Sequence, residues 1–199
     1  MILDDIKNYA KQFDYEPKVE NAGKLKKASK FVVVGMGGSH LAADILKDWH
    51  PELELDIIIH SNYGLPALRE KDLKERLVIL SSYSGGTEET IDAFNAARAK
   101  HLNIAIVAAR GKLINLAQKF KVPYVQMPDL HMQPRMATGL SLKAILALIG
   151  EKTWLAEAKE LATLLHTARE EHRGRDLAKR LHGTVPVIYA SDRNRAPRK

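Results

Sequence analysis

The stretch "LVILSSYSGGTEETIDAFNAARAKH", residues 77–101, contains three kinds of sequence in succession. Its first four residues form an apolar, β-branched run, typical of a strand that is buried on both faces. Its last fifteen residues carry apolar side chains at helical spacing. Between them lie two glycines and several small hydroxyl side chains. A strand, a small polar loop and a helix in this order predict one βα unit.

Similar units recur along the chain. Five apolar runs predict strands, and the segments between several of them show helical spacing after a Gly, Ser or Thr. Five βα units in order predict an α/β fold, with a doubly wound sheet of five parallel strands flanked by helices. The predicted strands, each expected to be buried on both faces, are 31–34, 56–59, 77–80, 104–107 and 124–127.

The last third of the chain has a different pattern. A helix is predicted over 137–150, a second long helix over 153–172, and one further strand at "VPVIYAS", 185–191. A buried strand without a following helix suggests the opening of another unit. The expected organisation is a first domain at 1–150, a helical connector at 151–182 and the start of a truncated second domain at 183–199.

Composition excludes several classes of function. The 199 residues include no cysteine, which rules out disulfides and thiolate catalysis. No apolar run approaches the roughly 18 residues of a membrane helix, and the N-terminus lacks the pattern of a secretory signal. We therefore expect no membrane association and a cytoplasmic location.

The formal charge is +7, and residues 152–199 hold 11 Lys and Arg against 6 Asp and Glu. No aromatic residues are interleaved with these arginines, and helix-turn-helix or zinc-finger spacing is absent, so no nucleic-acid partner is expected. Mild basicity suits a small anionic ligand.

Two loops carry the candidate chemistry. "GMGGS", 35–39, follows the first predicted strand, and "SSYSGGT", 81–87, follows the third. Ligands of open parallel sheets bind at the carboxyl ends of strands, where helix N-termini present free N–H groups. The pattern predicts a phosphate cradle that requires no metal and no cofactor. The alternative is a purely structural role as a tight turn, with Thr87 as N-cap and two following glutamates at the positive end of the helix.

Three other interpretations of these loops have little support. The dinucleotide fingerprint Gly-x-Gly-x-x-Gly/Ala is not completed after Gly35, and the second strand ends in His60 rather than in an acidic residue. Neither loop has the Lys-Ser/Thr pair of a Walker loop. Ser84 lacks the glycine two residues upstream that a serine-hydrolase elbow needs. Holding a phosphate is therefore favoured over nucleophilic attack.

A family resemblance rests on three motifs in register: "GMGGS", "SYSGGTEET" and, after the fifth strand, "QPRMATG" at 133–139. Together they resemble the bifunctional phosphoglucose/phosphomannose isomerases of the sugar isomerase (SIS) superfamily. The resemblance implies a homodimer that interconverts glucose 6-phosphate or mannose 6-phosphate with fructose 6-phosphate through an enediolate. It also implies roles for individual residues: sugar contacts from Gly37, Gly38 and Ser39, phosphate contacts from Ser82, Ser84 and Thr87, and stabilisation of the enediolate by Arg135.

The sequence departs from the family pattern at two positions. Gly86 stands where Asn is usual, which removes a side-chain hydrogen-bonding group. His40 stands where a small residue is common, and its ring is expected either to narrow the pocket or to face a neighbouring helix.

The family's remaining catalytic groups, a glutamate base, a histidine from the partner subunit and a late lysine, belong to the second SIS domain. We therefore expect this chain to bind fructose 6-phosphate but to isomerise it poorly unless a partner completes the site. His131, four residues before Arg135, is the better local candidate for a base, because the helix dipole lowers the basicity of Glu88 and Glu89.

Two other functions stay open at this point. One is a non-catalytic SIS module that binds a sugar phosphate and passes the signal to a partner. The other is a single-domain SIS isomerase of a different sugar phosphate, with bases supplied by its own helices in an oligomer.

Overall fold

The computed structural model describes residues 2–49 and 55–189, which form a six-stranded sheet with helices on both faces. The strands are β1 Val19–Glu20, β2 Lys30–Val34, β3 Asp56–His60, β4 Leu77–Ser81, β5 Asn103–Ala108 and β6 Tyr124–Gln126. The α-helices are α1 Ile2–Lys7, α2 Leu41–Trp49, α3 Glu70–Lys74, α4 Glu88–Ala99, α5 Lys112–Phe120, α6 Thr138–Ile149, α7 Lys152–Leu164 and α8 Thr167–Leu181. Short 3₁₀ helices lie at Tyr9–Asp14, Ala22–Lys24, Gly37–His40 and Pro134–Met136.

The strand order is β1-β6-β5-β4-β2-β3, and β2 to β6 are parallel, which confirms the five predicted parallel strands. The sixth strand, β1, was not predicted. It pairs antiparallel with β6 through Val19 opposite Val125 and Glu20 opposite Tyr124. Two residues are too few to show a period-2 pattern, so this strand can be recognised only from its pairing with β6 in the folded protein.

Alternate residues of the central strands pack into two separate cores. Val33, Ile79 and Val107 belong to the core that includes α2 and α6. Their strand neighbours, such as Val32 and Ile106, belong to the core that includes α4 and α5. Strands β2, β4 and β5 are therefore buried on both faces, as predicted. The prediction is wrong for β3, which is only half-buried because it lies at the edge of the sheet.

The order of the strands creates a switch point between β2 and β4. The chain passes from β2 to β3 on one side and then returns to β4 on the other. Phe31 consequently lies opposite both Ile57 of β3 and Leu77 of β4. Loops that leave the carboxyl ends of β2 and β4 therefore lie side by side, which is where open α/β sheets bind ligands.

Two C-terminal predictions are wrong. The long helix predicted over 153–172 is broken into α7 and α8, because Leu165 and His166 adopt non-helical backbone angles. Helix α7 packs against the rest of the protein through its buried residues Trp154 and Ala158. Helix α8 has no buried residue and packs beside α1. Residues 185–189 are exposed and, within the part of the chain that the structure describes, pair with no strand, while 190–191 lie outside the described residues.

No helix within residues 2–49 and 55–189 has the length and apolar character that crossing a membrane requires.

Candidate functional site

The loop after β2 forms one wall of the candidate site. Gly35 lies so close to β4 that a Cβ on it would come within 2.9 Å of the Ser81 carbonyl oxygen. Gly37 adopts a left-handed backbone with φ +54° and faces open space. The chain then forms the 3₁₀ helix Gly37–His40 and continues directly into α2. The predicted sugar-contact loop is therefore a tight turn at the carboxyl end of β2.

Ser39 joins this loop to the serine-rich loop after β4. Its backbone carbonyl accepts a hydrogen bond of 2.6 Å from Ser81 Oγ, and its own Oγ accepts one of 3.4 Å from the Tyr83 N–H. All three residues are buried. Ser81 and Tyr83 were not singled out from the sequence, although both belong to the quoted motif. The Ser39 hydroxyl is thus engaged in holding the two loops together.

The serine-rich loop turns sharply at Gly85, where the N–H donates to the carbonyl of Ser82 at 3.0 Å and also lies 3.2 Å from its Oγ. Gly85 has φ +64°, and a Cβ at this position would come within 1.8 Å of the Arg110 carbonyl oxygen. Only glycine fits there. Ser84, at the outside of the turn, is exposed, and its Oγ accepts a hydrogen bond of 3.3 Å from the Gly86 N–H.

The first turn of α4 has free donors. Thr87 occupies the N-cap position, but its hydroxyl makes no capping hydrogen bond. The Thr87 Oγ1 instead lies 2.8 Å from Ser82 Oγ. In the described ranges, no hydrogen-bond acceptor reaches the backbone N–H groups of Glu88, Glu89 and Thr90. The alternative in which Thr87 simply caps the helix is therefore not what the structure shows, and these N–H groups remain available to an anion.

Arg135 approaches the site from a different part of the chain. A Cβ on Gly38 would lie 2.3 Å from the Arg135 backbone nitrogen, so the two backbones are in direct contact. The Arg135 carbonyl accepts a hydrogen bond of 2.8 Å from Thr138 Oγ1 at the start of α6. The Arg135 side chain is exposed and forms no ion pair with any residue in the described part of the chain. The structure thus brings the Arg135 backbone against the glycine loop, while its side chain is exposed.

Gln12 holds the segment that carries Arg135 in place. Its Nε2 donates to the carbonyl of Met136 at 2.6 Å. Its Oε1 accepts hydrogen bonds from the N–H groups of Gly139 at 3.1 Å and Leu140 at 3.3 Å. A buried side chain of the N-terminal 3₁₀ helix therefore caps α6. The N-terminal segment contains no motif that could have indicated this contact.

His131 is exposed and lies in a polar cluster beyond the serine-rich loop. Its backbone is left-handed, with φ +53°, and both its N–H and its Nδ1 lie within hydrogen-bond distance of Asp129 Oδ1, at 3.2 and 3.1 Å. Arg110 also binds Asp129, and this hydrogen bond lowers the pKa of the Asp129 carboxyl. The Tyr83 hydroxyl accepts a hydrogen bond of 3.0 Å from the Leu130 N–H. The His131 Nδ1 also lies 3.3 Å from Arg110 Nη1, so the ring belongs to an exposed polar cluster with Asp129 and Arg110.

The two departures from the family pattern have different surroundings. The side chain of His40 is buried, and its Nδ1 lies 2.7 Å from Asp44 Oδ2, one turn further along. The ring therefore packs toward α2. Gly86 is exposed, and its nearest neighbour for an added Cβ is Ser84 Oγ at 4.0 Å. A side chain would fit there without a clash.

Curated relatives match nearly the whole chain. A bifunctional phosphoglucose/phosphomannose isomerase from Aquifex aeolicus is 30% identical over 190 residues, which cover 94% of this chain and 57% of the relative. A protein of the same name from Caldicellulosiruptor bescii is 33% identical over 181 residues, covering 83% of this chain and 52% of the relative. The chain spans about half the length of these relatives. No protein-family model matches it.

Solved structures support the fold. A protein from Salmonella typhimurium, provisionally named a phosphosugar isomerase, aligns with a TM-score of 0.54 at 20% identity, covering 89% of this chain and 54% of its own. A protein from Silicibacter pomeroyi, also provisionally named a phosphosugar isomerase, aligns with a TM-score of 0.51 at 15% identity, covering 81% of this chain and 55% of its own. By its sequence similarity to the curated relatives, the chain belongs to the family of bifunctional phosphoglucose/phosphomannose isomerases.

Proposed function

We propose that this chain binds a hexose 6-phosphate between the carboxyl ends of β2 and β4 and takes part in aldose–ketose isomerisation. The reaction would interconvert glucose 6-phosphate or mannose 6-phosphate with fructose 6-phosphate. Residues 1–150 would form the sugar-phosphate-binding domain, with 151–182 as a connector and 183–199 as the start of a second domain. We further propose a cytoplasmic homodimer, because the family resemblance implies that a partner subunit contributes to the site.

The observation that carries this proposal is the uncapped first turn of α4. Its free N–H groups carry the positive end of the helix dipole, equivalent to about half an elementary charge. The paired hydroxyls of Ser82 and Thr87 lie at the same turn, and Ser84 is exposed beside them. A phosphate dianion can accept hydrogen bonds from the amides and from the hydroxyls together. This arrangement holds a phosphate without a metal ion.

Arg135 is suited to the charge that develops during isomerisation. Removal of a proton from C2 of the aldose phosphate gives an enediolate, and return of a proton to C1 gives the ketose. The negative charge on the enediolate oxygens needs a fixed cation, and a guanidinium does not lose its proton. Gly38 and Thr138 hold the Arg135 backbone in place, while its side chain is free of carboxylate partners among the described residues.

The ability to transfer a proton distinguishes a full isomerase from a non-catalytic binding module. His131, which lies beside Asp129 and Arg110, is the local candidate for the base, while the family resemblance assigns the base to a glutamate of the second domain. We propose that this chain alone turns over fructose 6-phosphate slowly. Normal turnover that is lost in His131→Gln would assign the base to this chain. Binding without any turnover, even as a dimer, would favour the non-catalytic module.

Binding itself is tested by the thermal shift of the purified chain with fructose 6-phosphate, compared with fructose and with inorganic phosphate. A ligand present at a hundredfold excess over Kd stabilises the folded state by about 2.7 kcal/mol. We expect a shift with the sugar phosphate that is lost in Ser84→Ala and retained in the control Ser29→Ala, another exposed serine. No shift with any of the three ligands would contradict the proposal.

A further inference from the structure

A second concave surface lies at the amino ends of the strands, at the other end of the sheet from the proposed sugar-phosphate site. This groove, which we call the basic groove, has a volume of about 380 Å³ and lies at the amino ends of β5 and β6. Its lining includes Lys24, Lys26, Arg98, His101 and Lys121. Strand β5 is about 17 Å long, so this groove is well separated from the carboxyl-end site. Among the described residues, the lining includes no acidic side chain.

Two hydrogen bonds build one wall of the basic groove. The Nδ2 of Asn21 donates to the carbonyl of Val122 at 3.0 Å, and the Nδ2 of Asn103 donates to the carbonyl of Lys26 at 3.1 Å. Together they attach the segment that contains the two lysines to the starts of β5 and β6. The wall is therefore held by specific side chains of the fold.

The cations of the basic groove are not neutralised. Within residues 2–49 and 55–189, none of its lysines or its arginine pairs with a carboxylate, unlike Arg110 with Asp129 on the opposite edge. The Arg98 guanidinium carbon lies 3.8 Å from the centre of the Phe120 ring. A guanidinium stacked in this way keeps its in-plane N–H donors for an anion. Because Arg98 covers this face of the ring, the groove favours a phosphate chain over a stacked base.

The helix dipoles do not cancel this charge. Helices α4 and α5 both end at the basic groove, and each C-terminus contributes about half a negative elementary charge. Against a total of about one negative charge stand three lysines and one arginine, so the groove retains roughly three positive charges. Neutralising the helix ends therefore accounts for only a small part of the positive charge.

Basic residues also occupy two backbone positions that normally favour glycine. His101 and Lys121 follow the ends of α4 and α5 with left-handed φ values of +53° and +52°. Glycine is the usual residue at such a position because it has no Cβ to strain the backbone. A basic residue stands at both helix ends instead, and both residues line the basic groove.

We propose that the basic groove binds a small polyphosphate anion, meaning a ligand with two or more linked or neighbouring phosphate groups. The site is independent of the proposed sugar-phosphate site. Its positive charge attracts the ligand, and the Arg98 and lysine donors hydrogen-bond the phosphate oxygens. The neighbouring Lys119, 5.4 Å from the centre of the Phe120 ring, adds to the attraction.

The probe is inorganic triphosphate, titrated calorimetrically into the full chain carrying Ser84→Ala, so that the serine-rich loop contributes little. Lys121→Gly is the decisive variant, because it removes a charge and relieves the left-handed strain together. We expect affinity for triphosphate to fall roughly threefold to tenfold while the melting temperature rises. Lys152→Gln, an exposed lysine outside the groove, is the control for net charge and is expected to bind as before.

Opposite changes in binding and stability distinguish a ligand site from a structural role. Unchanged triphosphate affinity in Lys121→Gly would overturn the proposal, as would an equal loss in Lys152→Gln, since that loss would reflect overall charge alone. Binding of a single-stranded oligonucleotide much more tightly than triphosphate would also overturn it and assign the groove to nucleic acid. These outcomes do not depend on whether fructose 6-phosphate binds at the carboxyl ends of β2 and β4.

Discussion

The backbone of Gly38 rests directly on the backbone of Arg135, and no side chain separates them. A Cβ on Gly38 would lie 2.3 Å from the Arg135 nitrogen, 2.6 Å from its Cα and 2.8 Å from the Pro134 carbonyl carbon. This contact joins the loop after β2 to the segment before α6. It also fixes the backbone position from which the Arg135 side chain extends relative to the proposed phosphate cradle.

Gly38→Ala is expected to lower both stability and sugar-phosphate binding. The added methyl meets backbone atoms, which cannot rotate away, so we expect a loss of about 2 kcal/mol in the free energy of unfolding. Urea unfolding measures this loss, and fructose 6-phosphate titration measures the displacement of Arg135. Gly23→Ala is the control, because a Cβ there has no neighbour within 4 Å. Equal stabilities of the two variants would refute the close contact.

Gly86→Asn is expected to strengthen binding of fructose 6-phosphate. The position is exposed and has room for a side chain, so stability should change by less than about 0.5 kcal/mol. One additional hydrogen bond to the ligand corresponds to roughly fivefold in affinity. Calorimetric titration compares this variant with Gly86→Ala, which adds a side chain without an amide. If both variants bind equally, the amide makes no contact with the ligand.

Gln12→Leu is expected to destabilise the start of α6. The change removes the donor to Met136 and leaves the N–H groups of Gly139 and Leu140 without their acceptor. Losing these buried hydrogen bonds should cost about 2 to 4 kcal/mol in the free energy of unfolding.

Urea unfolding compares Gln12→Leu with Gln118→Leu, an exposed control on α5 that should stay within about 0.5 kcal/mol of the unmutated chain. Because the Met136 carbonyl neighbours Arg135, fructose 6-phosphate affinity should also fall in Gln12→Leu. Normal stability of this variant would show that the helix is held by other contacts.

The acid side of the stability profile should depend on Asp56. Arg76, whose side chain is largely buried, donates two hydrogen bonds to its carboxylate, at 2.8 and 2.7 Å, and these lower the pKa of Asp56 below its usual 3.8. A carboxyl with a lowered folded-state pKa stabilises the protein above its unfolded-state pKa, and this stability is lost as the pH falls below about 4.

Asp56→Asn tests this dependence, since it leaves Arg76 without its ionised partner. We expect it to be about 2 kcal/mol less stable than the unmutated chain at pH 7, a value reduced for the partial exposure of Asp56. The difference should narrow as the pH falls from 6 to 2. A difference that stays constant over this range would contradict the assignment, because other carboxyls affect both proteins equally.

The local sequence was sufficient to predict the parallel strands and the loops that follow them. Runs such as 77–80 are apolar on both faces, and burial on both faces is a property that each run displays by itself. The order of the βα units then placed Ser82 and Gly38 at the carboxyl edge. The partial exposure of β3 was not predicted, because whether a strand lies at the edge of the sheet depends on the strand order. The residues of one strand do not reveal that order.

The sequence by itself thus determined the α/β class, the five parallel strands and the glycine- and serine-rich loops. Only the tertiary structure decided the antiparallel pairing of β1, the capping of α6 by Gln12, the contact of Gly38 with Arg135 and the assembly of the basic groove. The physical reason is the range of the interactions. Hydrophobic periodicity and turn residues act between near neighbours in the chain, whereas these contacts join distant segments whose approach depends on packing of the whole core.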